Sequence, residues 1–172
     1  MHKLLQRLQK EAEMPAMEVV NAPPEPESEP KKVRKQPTRA RARILSISPA
    51  PRDHTELSRI ADDRFWQVTS AHTFREAVAY LSKTTAFVIF CEHSLPDGTW
   101  KQLLEHAARL PVPPPVIVTS RLADDHLWAE VLNLGGFDVL AKPFNEREVR
   151  HVLDSAWMQR VNPVGNARVA GI

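Results

Sequence analysis

The sequence predicts an α/β fold of three layers, in which helices cover both faces of a five-stranded parallel sheet. Short apolar runs rich in β-branched residues alternate with amphipathic segments between residues 43 and 158, the pattern of consecutive βα units. The run from Ala86 to Cys91 contains almost no polar residue, which is typical of a strand buried on both faces. Right-handed connections between the parallel strands would then place helices on both faces of the sheet.

Each element follows from its own stretch of sequence. We place the strands at residues 43–48, 65–70, 86–91, 115–119 and 137–141. The helices are predicted at residues 53–62, 73–81, 99–109, 123–134 and 145–158. Thr73 and Glu76 form a capping-box pattern at the start of the second helix. Gly135 and Gly136 can close the fourth helix, because glycine adopts the left-handed conformation that often ends one.

The domain organisation follows from composition. We expect one globular domain over residues 41–160, a tail over residues 1–40 and a flexible end over residues 161–172. The first 14 residues predict at most a short helix, and prolines alternating with acids over residues 21–30 predict disorder. Residues 31–43 then carry seven Lys or Arg and no acid. The tail and the domain therefore differ in amino-acid composition.

Charge and composition exclude several classes of protein. Residues 1–43 hold ten Lys/Arg against six Asp/Glu, a net of +4, so the remaining 13 against 15 give −2 and the chain totals +2. Cys91 is the only cysteine, which excludes an internal disulfide. No apolar run approaches the roughly 18 residues that a membrane span requires. We therefore expect a cytoplasmic protein that is neither exported nor anchored.

Motifs at the carboxyl ends of three strands resemble the receiver domain of bacterial response regulators. The fifth strand ends in Lys142-Pro143-Phe144, the fourth ends in Thr119-Ser120, and a shortened loop runs from residue 92 to residue 98. The resemblance covers residues 42–158. It implies a flavodoxin-like, CheY-like fold with strand order 2-1-3-4-5, a cis peptide bond before Pro143, and a part in two-component phosphorelay signalling.

The resemblance also assigns roles to six positions. In the family a carboxylate after the third strand accepts a phosphoryl group, two acids after the first strand help to hold Mg²⁺, and a hydroxyl and a lysine hold the phosphoryl oxygens. The corresponding residues here are Glu92 at the phosphoacceptor position, Thr119 as the switch hydroxyl, Lys142 as the lysine, Ser48 and Pro49 in place of the acidic pair, and Val139 at the aromatic-switch position.

These substitutions predict a remodelled site. The extra methylene of Glu92 moves its carboxylate outward by about 1.5 Å, and we expect it to pair with Lys142 while Thr119 lies close by. Serine is a poor Mg²⁺ ligand, so we expect the metal site to be lost or weak and no other cofactor to bind. Asp53 is expected in the first turn of the first helix and Asp97 in the turn before Gly98, and neither is expected to restore a metal site.

The leading functional hypothesis is an atypical, stand-alone, non-enzymatic receiver that acts through protein–protein contacts and has an impaired or absent phosphorylation cycle. Its expected partners are a histidine kinase or a downstream effector, and a homodimer could form through the fourth helix, fifth strand and fifth helix. Val139 is too small and too rigid for an aromatic switch. The residues after Met158 are too few for an output domain.

Two alternatives belong to other classes of function. The basic arm at residues 31–43 could make the chain a nucleic-acid-associated adaptor, although it lacks interleaved aromatics and a recognition helix. An enzyme of flavodoxin-like fold would need a phosphate-binding glycine loop or a nucleophile–base pair, and the sequence shows neither. The five histidines considered show no spacing typical of a zinc site: His72, His93, His106, His126 and His151.

Overall fold

A computed structural model of the protein describes residues 41–61 and 65–161. Five parallel strands form one sheet: β1 (Ala42–Ile47), β2 (Trp66–Ala71), β3 (Val88–Glu92), β4 (Val116–Ser120) and β5 (Asp138–Ala141). Their order is β2-β1-β3-β4-β5, which confirms the predicted order. The tails predicted at residues 1–40 and 161–172 lie outside the described residues, apart from Val161.

Five helices connect and follow the strands: α1 (Pro51–Ile60), α2 (Phe74–Leu81), α3 (Trp100–Ala108), α4 (Asp125–Asn133) and α5 (Glu146–Val161). Helices α1 and α5 share one hydrophobic core with the sheet, and α2, α3 and α4 share the core on its other face. The side chains of β3 alternate between them, Phe90 towards the first core and Ile89 towards the second. The predicted three-layer architecture is therefore confirmed. Among the described residues, no helix combines the length and apolarity needed to cross a bilayer.

The first helix begins earlier than its sequence pattern suggests. It starts at Pro51 instead of Asp53, because proline fits the first turn of a helix, where its missing N–H has no intrahelical partner. Asp53 thereby becomes the third helical residue. Asp53 lies in the first turn of α1, as expected, and its side chain reaches the edge where the strands end.

The cap predicted at the start of α2 and the glycine end predicted for α4 are both present, but the Glu76 carboxylate bonds one residue earlier than in a capping box. The Thr73 hydroxyl accepts a hydrogen bond from the backbone N–H of Glu76 at 3.1 Å. The Glu76 carboxylate accepts from the N–H of His72 at 2.6 Å, one residue before the cap. Gly135 adopts φ +90° after α4, and the N–H of Gly136 donates to the carbonyl of Val131 at 2.8 Å.

Asp97 lies in the turn before Gly98, as expected, and it makes a further contact that was not expected. It lies in a short hairpin formed by Ser94–Leu95 and Gly98–Thr99. Its carboxylate accepts hydrogen bonds from the backbone N–H groups of Phe74 at 2.7 Å and Arg75 at 3.0 Å. Asp97 thus holds the hairpin against the N-terminus of α2, where a negative charge is favourable.

An aromatic cluster covers the amino-terminal edge of the sheet. The rings of Phe87 and Trp157 are stacked with centroids 4.9 Å apart, and Trp66 meets Trp157 edge-on at 6.2 Å. The Arg160 guanidinium lies 4.8 Å from the Phe87 ring and donates to the backbone carbonyls of Ala86 and Phe87. These contacts join the end of α5 to the start of β3.

Candidate functional site

All but one of the six residues singled out by the sequence meet at one edge of the sheet. The carboxyl ends of parallel strands lie on the same side, so the last residues of neighbouring strands become neighbours in space. Glu92 ends β3 and lies directly beside Thr119 of β4 in the strand register. Lys142 follows β5. The peptide bond between Lys142 and Pro143 is cis, as the resemblance implies.

The Lys142 ammonium contacts two carboxylates at once. Its Nζ atom forms ion pairs with Oε2 of Glu92 and with Oδ2 of Asp53. The Lys142 side chain is only 7% exposed, compared with 13% for Asp53 and 17% for Glu92. The pairing between Glu92 and Lys142 expected from the sequence is therefore present. Because water is largely excluded, these charges interact more strongly than a pair on the surface.

Asp53 also belongs to this cluster, and the sequence analysis did not predict its pairing with Lys142. Besides Lys142, its Oδ2 atom accepts a hydrogen bond from the Ser48 hydroxyl at 2.5 Å. Burial raises the pKa of the Asp53 carboxyl, but the bonds from Lys142 and Ser48 outweigh burial and hold the pKa below its usual value of 3.8. No pattern in the sequence distinguishes this acid from one that only faces the N-terminus of its helix.

Ser48 and Pro49 occupy the loop between β1 and α1. The buried Ser48 hydroxyl donates to Asp53 and accepts from the N–H of Ala50 at 3.2 Å. Its hydrogen-bonding capacity thus holds the loop and orients Asp53. Pro49 is exposed and contributes to the wall of the cavity above the cluster.

The donor set fits Mg²⁺ poorly. Mg²⁺ needs several hard oxygen ligands in octahedral geometry. Among residues 41–61 and 65–161, no group of three or more His, Cys, Asp or Glu side chains could hold a metal ion. The two carboxylates that are present, Asp53 and Glu92, share the ammonium of Lys142. A metal ion that took Oδ2 of Asp53 or Oε2 of Glu92 would compete with that ammonium.

His54 is a second residue that the sequence analysis overlooked. It is buried beside the site, and Nε2 must donate to the Ser48 carbonyl at 3.0 Å because a carbonyl can only accept. In the neutral imidazole, which the lowered pKa of His54 favours, Nδ1 accepts from the Ser46 hydroxyl at 2.8 Å. Burial lowers the pKa of His54 below its usual value. Its spacing from Leu57, which is also buried, could have placed it on the inner face of α1.

Thr119 and Val139 lie on opposite faces of the sheet. Thr119 is buried next to Glu92, and its carbonyl accepts from the N–H of His93 at 2.8 Å. Val139 is half-buried against the core shared by α2, α3 and α4. The structure thus brings Ser48, Glu92, Thr119 and Lys142 to one edge and leaves Val139 outside it. The functional roles assigned to these residues stay predictions.

Open cavities flank the cluster on two sides. One of about 340 Å³ is bordered by Pro49, His93 and Arg121 as well as by the charged cluster. The other, of about 310 Å³, is bordered by Arg52, Glu56 and Arg121. Small molecules can therefore approach the carboxylates from solvent, even though Lys142 itself is almost completely covered.

Comparisons with known proteins agree with this architecture. The response regulator receiver domain model matches residues 53–154, more than half of the chain. No curated protein sequence matches.

Solved structures of similar fold come from several bacteria. A two-component response regulator from Clostridium difficile has 23% identity and a TM-score of 0.63, covering 71% of this chain and 99% of its own. The chemotaxis response regulator CheY4 of Vibrio cholerae has 20% identity and a TM-score of 0.60, covering 67% and 98%. The receiver domain of an HD domain-containing protein from Pseudomonas fluorescens has 19% identity and a TM-score of 0.64, covering 70% and 98%.

At these identities the structural similarities establish the fold alone, and the match over residues 53–154 establishes the family. That family comprises signalling modules of two-component systems. Both the sheet order and the cis bond before Pro143 agree with the resemblance first seen in the strand-end motifs. This chain therefore belongs to the response regulator receiver domain family.

Proposed function

We propose that this protein is an atypical receiver that signals through protein–protein contacts and has no phosphorylation cycle at Glu92. The observation that carries the proposal is the double contact of Lys142 with Glu92 and Asp53. Phosphoryl transfer to a carboxylate requires that carboxylate to be free to attack, with cations positioned to offset the developing charge. Here the carboxylate at the acceptor position is already paired, and the cation beside it is an ammonium.

Weak or absent Mg²⁺ binding is part of the same proposal. Ser48 and Pro49 offer a hydroxyl and a backbone carbonyl in place of two carboxylates, and the Ser48 hydroxyl is engaged with Asp53. Mg²⁺ sheds its bound waters reluctantly and is usually held by one or two carboxylates together with substrate phosphates. Lys142 competes for the carboxylates that remain.

We propose that Glu92 holds the site in one permanently charged arrangement. Its carboxylate supplies one negative charge, compared with roughly −1.5 to −2 for a phosphoryl group. Val139 stands where the family has an aromatic switch and is half-buried, so it has no large side chain to move. Recognition of partners would then be constitutive, in a cytoplasmic protein without enzymatic activity.

The partner surface we propose is formed by α4, β5 and α5, with a histidine kinase, a downstream effector or a second copy as partner. Trp128 on α4 is 50% exposed, and a half-exposed tryptophan favours an interface because it offers a large apolar area with a polar N–H. Sedimentation equilibrium tests the homodimer. Trp128→Ala should weaken self-association, whereas a monomeric wild-type protein at all concentrations would exclude the homodimer.

Mass spectrometry tests the absence of a phosphorylation cycle. The wild-type protein is incubated with Mg²⁺ and a small phosphodonor, and its intact mass is measured. We expect no stoichiometric phosphoryl adduct. Glu92→Gln is the matched control, because an adduct that persists in this variant lies on another residue. An acid-stable, base-labile adduct that forms on the wild type and is absent from Glu92→Gln would refute the proposal.

A further inference from the structure

Three arginines border one cavity at the amino-terminal edge of the sheet. Arg41 precedes β1, Arg43 lies within it, and Arg160 comes from the last turn of α5. Together with Thr85 and Phe87 they border a space of about 260 Å³, which we call the arginine cavity. We propose that the arginine cavity binds phosphodiester groups of a nucleic acid backbone.

The three cations are available to an external anion. Arg41 and Arg43 are exposed. Within the described part of the chain, no Asp or Glu forms an ion pair with Arg41, Arg43 or Arg160. The positive charges that border this cavity therefore add together, and such a site attracts phosphate groups.

Arg160 is held in a fixed orientation. One terminal nitrogen, Nη1, donates to the carbonyls of Ala86 at 3.0 Å and Phe87 at 2.5 Å, while the guanidinium stacks over the Phe87 ring. A guanidinium carries five N–H donors, so donors remain for a ligand. Burial lowers the pKa of Arg160, although an arginine stays protonated in proteins. An anion would compensate a cation that has already lost part of its hydration.

The length and sign of the adjoining sequence favour a long polyanion over a small phosphate. Seven Lys or Arg occur between residues 31 and 43 without an acid, and Arg41 and Arg43 are the last two of them. A polyanion can meet several of these charges, whereas a small phosphate meets only those that border the cavity. Binding of this kind depends on charge and salt and does not read bases.

The arginine cavity is independent of the function proposed above. It lies where the strands begin, whereas Lys142 and its two carboxylates lie where the strands end. Loss of nucleic-acid binding would therefore leave the receiver proposal intact, and phosphorylation of Glu92 would leave this proposal intact. The sequence analysis considered the basic arm alone and did not foresee the contribution of Arg160 from α5.

Fluorescence anisotropy with the full chain tests the proposal. The probes are labelled oligodeoxythymidine and oligouridine of about 20 nucleotides, with a DNA duplex of the same length as a further arm. Arg41→Gln combined with Arg43→Gln should weaken binding about tenfold and lower the slope of log K against log salt by about 1.4, or 0.7 for each lost contact on a single strand.

A charge-matched control separates a specific cavity from a diffuse positive surface. Arg75→Gln combined with Arg147→Gln removes two exposed guanidinium groups elsewhere, and its affinity should stay within about twofold of wild type. Arg160→Gln should weaken binding by about tenfold as well. Because Arg160 also packs on Phe87, the thermal unfolding of Arg160→Gln is measured in parallel. If Arg160→Gln does not fold, the double variant at positions 41 and 43 tests the proposal instead.

Four outcomes would overturn the proposal. The first is that no oligonucleotide binds at about 50 mM salt, and the second is that the control variant loses as much affinity as the variant at positions 41 and 43. The third is that polyglutamate of matched charge binds more tightly than the oligonucleotides. The fourth is that inorganic phosphate at about 1 mM displaces the oligonucleotides. The third outcome would assign the cavity to an acidic polypeptide, and the fourth to a small phosphate. Preferential binding of DNA, RNA or duplex among the probes would identify the source of the phosphodiester.

Discussion

Asp53 and Lys142 lie 89 residues apart in the sequence and form an ion pair in which both side chains are largely buried. The pair joins the first turn of α1 to the segment that follows β5. Because the same ammonium also contacts Glu92, a change at any one of the three residues alters the electrostatic environment of the other two.

Removing the charge of Asp53 should destabilise the protein moderately. We expect Asp53→Asn to lower the free energy of unfolding by about 1–2 kcal/mol, because Lys142 loses one charged partner and keeps the other. Urea unfolding at neutral pH measures the change. Asp154→Asn, an exposed acid on α5, is the control and should cost less than about 0.5 kcal/mol. Equal effects of the two substitutions would show that the ion pair contributes no net stability.

Removing Lys142 should reverse the contribution of Asp53 to the pH dependence of stability. In the wild type the pKa of Asp53 lies below 3.8, so its stabilising contribution is complete above that pH and is lost as the pH falls through the folded-state pKa. In Lys142→Met the largely buried carboxylate of Asp53 loses its cation and keeps the negative charge of Glu92 nearby, which raises the pKa of Asp53. The folded variant then takes up protons that the unfolded chain does not.

The deficit of Lys142→Met in free energy of unfolding relative to the wild type, about 3 kcal/mol at neutral pH, should therefore shrink as the pH is lowered from about 6 to 4. Urea titrations at several pH values measure this trend. A variant that loses stability with falling pH in the same way as the wild type would show that the two carboxylates do not interact.

Magnesium should stabilise Lys142→Met and leave the wild type unchanged. With the ammonium gone, two adjacent carboxylates become available to a divalent cation. We expect the thermal midpoint of Lys142→Met to rise in about 10 mM MgCl₂, and Lys101→Met, which leaves the single carboxylate of Glu130, to show no such rise. An equal rise in the wild type would mean that Mg²⁺ binds despite Lys142.

Shortening Glu92 should not restore phosphorylation. Glu92→Asp recovers the side-chain length of the family's acceptor but leaves Ser48 and Pro49 in place of the acidic pair, so we expect no stoichiometric adduct with a small phosphodonor and Mg²⁺. Adding Ser48→Asp and Pro49→Asp to Glu92→Asp should permit an adduct, which intact mass spectrometry detects. Efficient phosphorylation of Glu92→Asp alone would show that the missing acids matter little.

His54 should make stability fall in mildly acidic solution. Burial lowers the pKa of the folded imidazole, so the unfolded chain binds a proton more readily as the pH drops below 6.5, and stability present above that pH is lost as the pH falls towards the folded-state pKa. His54→Gln keeps a donor for the Ser48 carbonyl and should flatten this part of the curve. His151→Gln, an exposed histidine on α5, should leave the curve as it is. If the stability of both variants depends on pH in the same way, His54 is not the cause of the loss of stability in mildly acidic solution.

The fold follows from the sequence almost completely, whereas the site follows from it only in part. Strand order, helix placement and the edge where Glu92, Thr119 and Lys142 meet are fixed by apolar runs and by motifs at the strand ends. The orientation of Asp53 is different, because it depends on α1 starting at Pro51 and on a lysine far along the chain. Local patterns carry no information about such a partner.

Two further residues show where sequence reasoning falls short. His54 repeats at helical spacing with the buried Leu57 and could have been placed on the inner face of α1, but its bond to the Ser48 carbonyl depends on the loop conformation. In the sequence, Arg160 is one more charged residue near the end of a predicted helix, and only the packing of α5 places it over the Phe87 ring. Polar residues that pack between distant elements are found from the structure alone.

The aromatic cluster gives the protein an optical label at the edge remote from Lys142. Trp66 and Trp157 are close enough, at 6.2 Å, for their indole transitions to couple, and both belong to the core beneath α1 and α5. Trp100 lies in the other core and Trp128 on the surface of α4, so neither takes part in this pair. We therefore expect near-ultraviolet circular dichroism to report the docking of α5, with the Trp66–Trp157 signal lost when that helix undocks while the far-ultraviolet signal of the sheet persists.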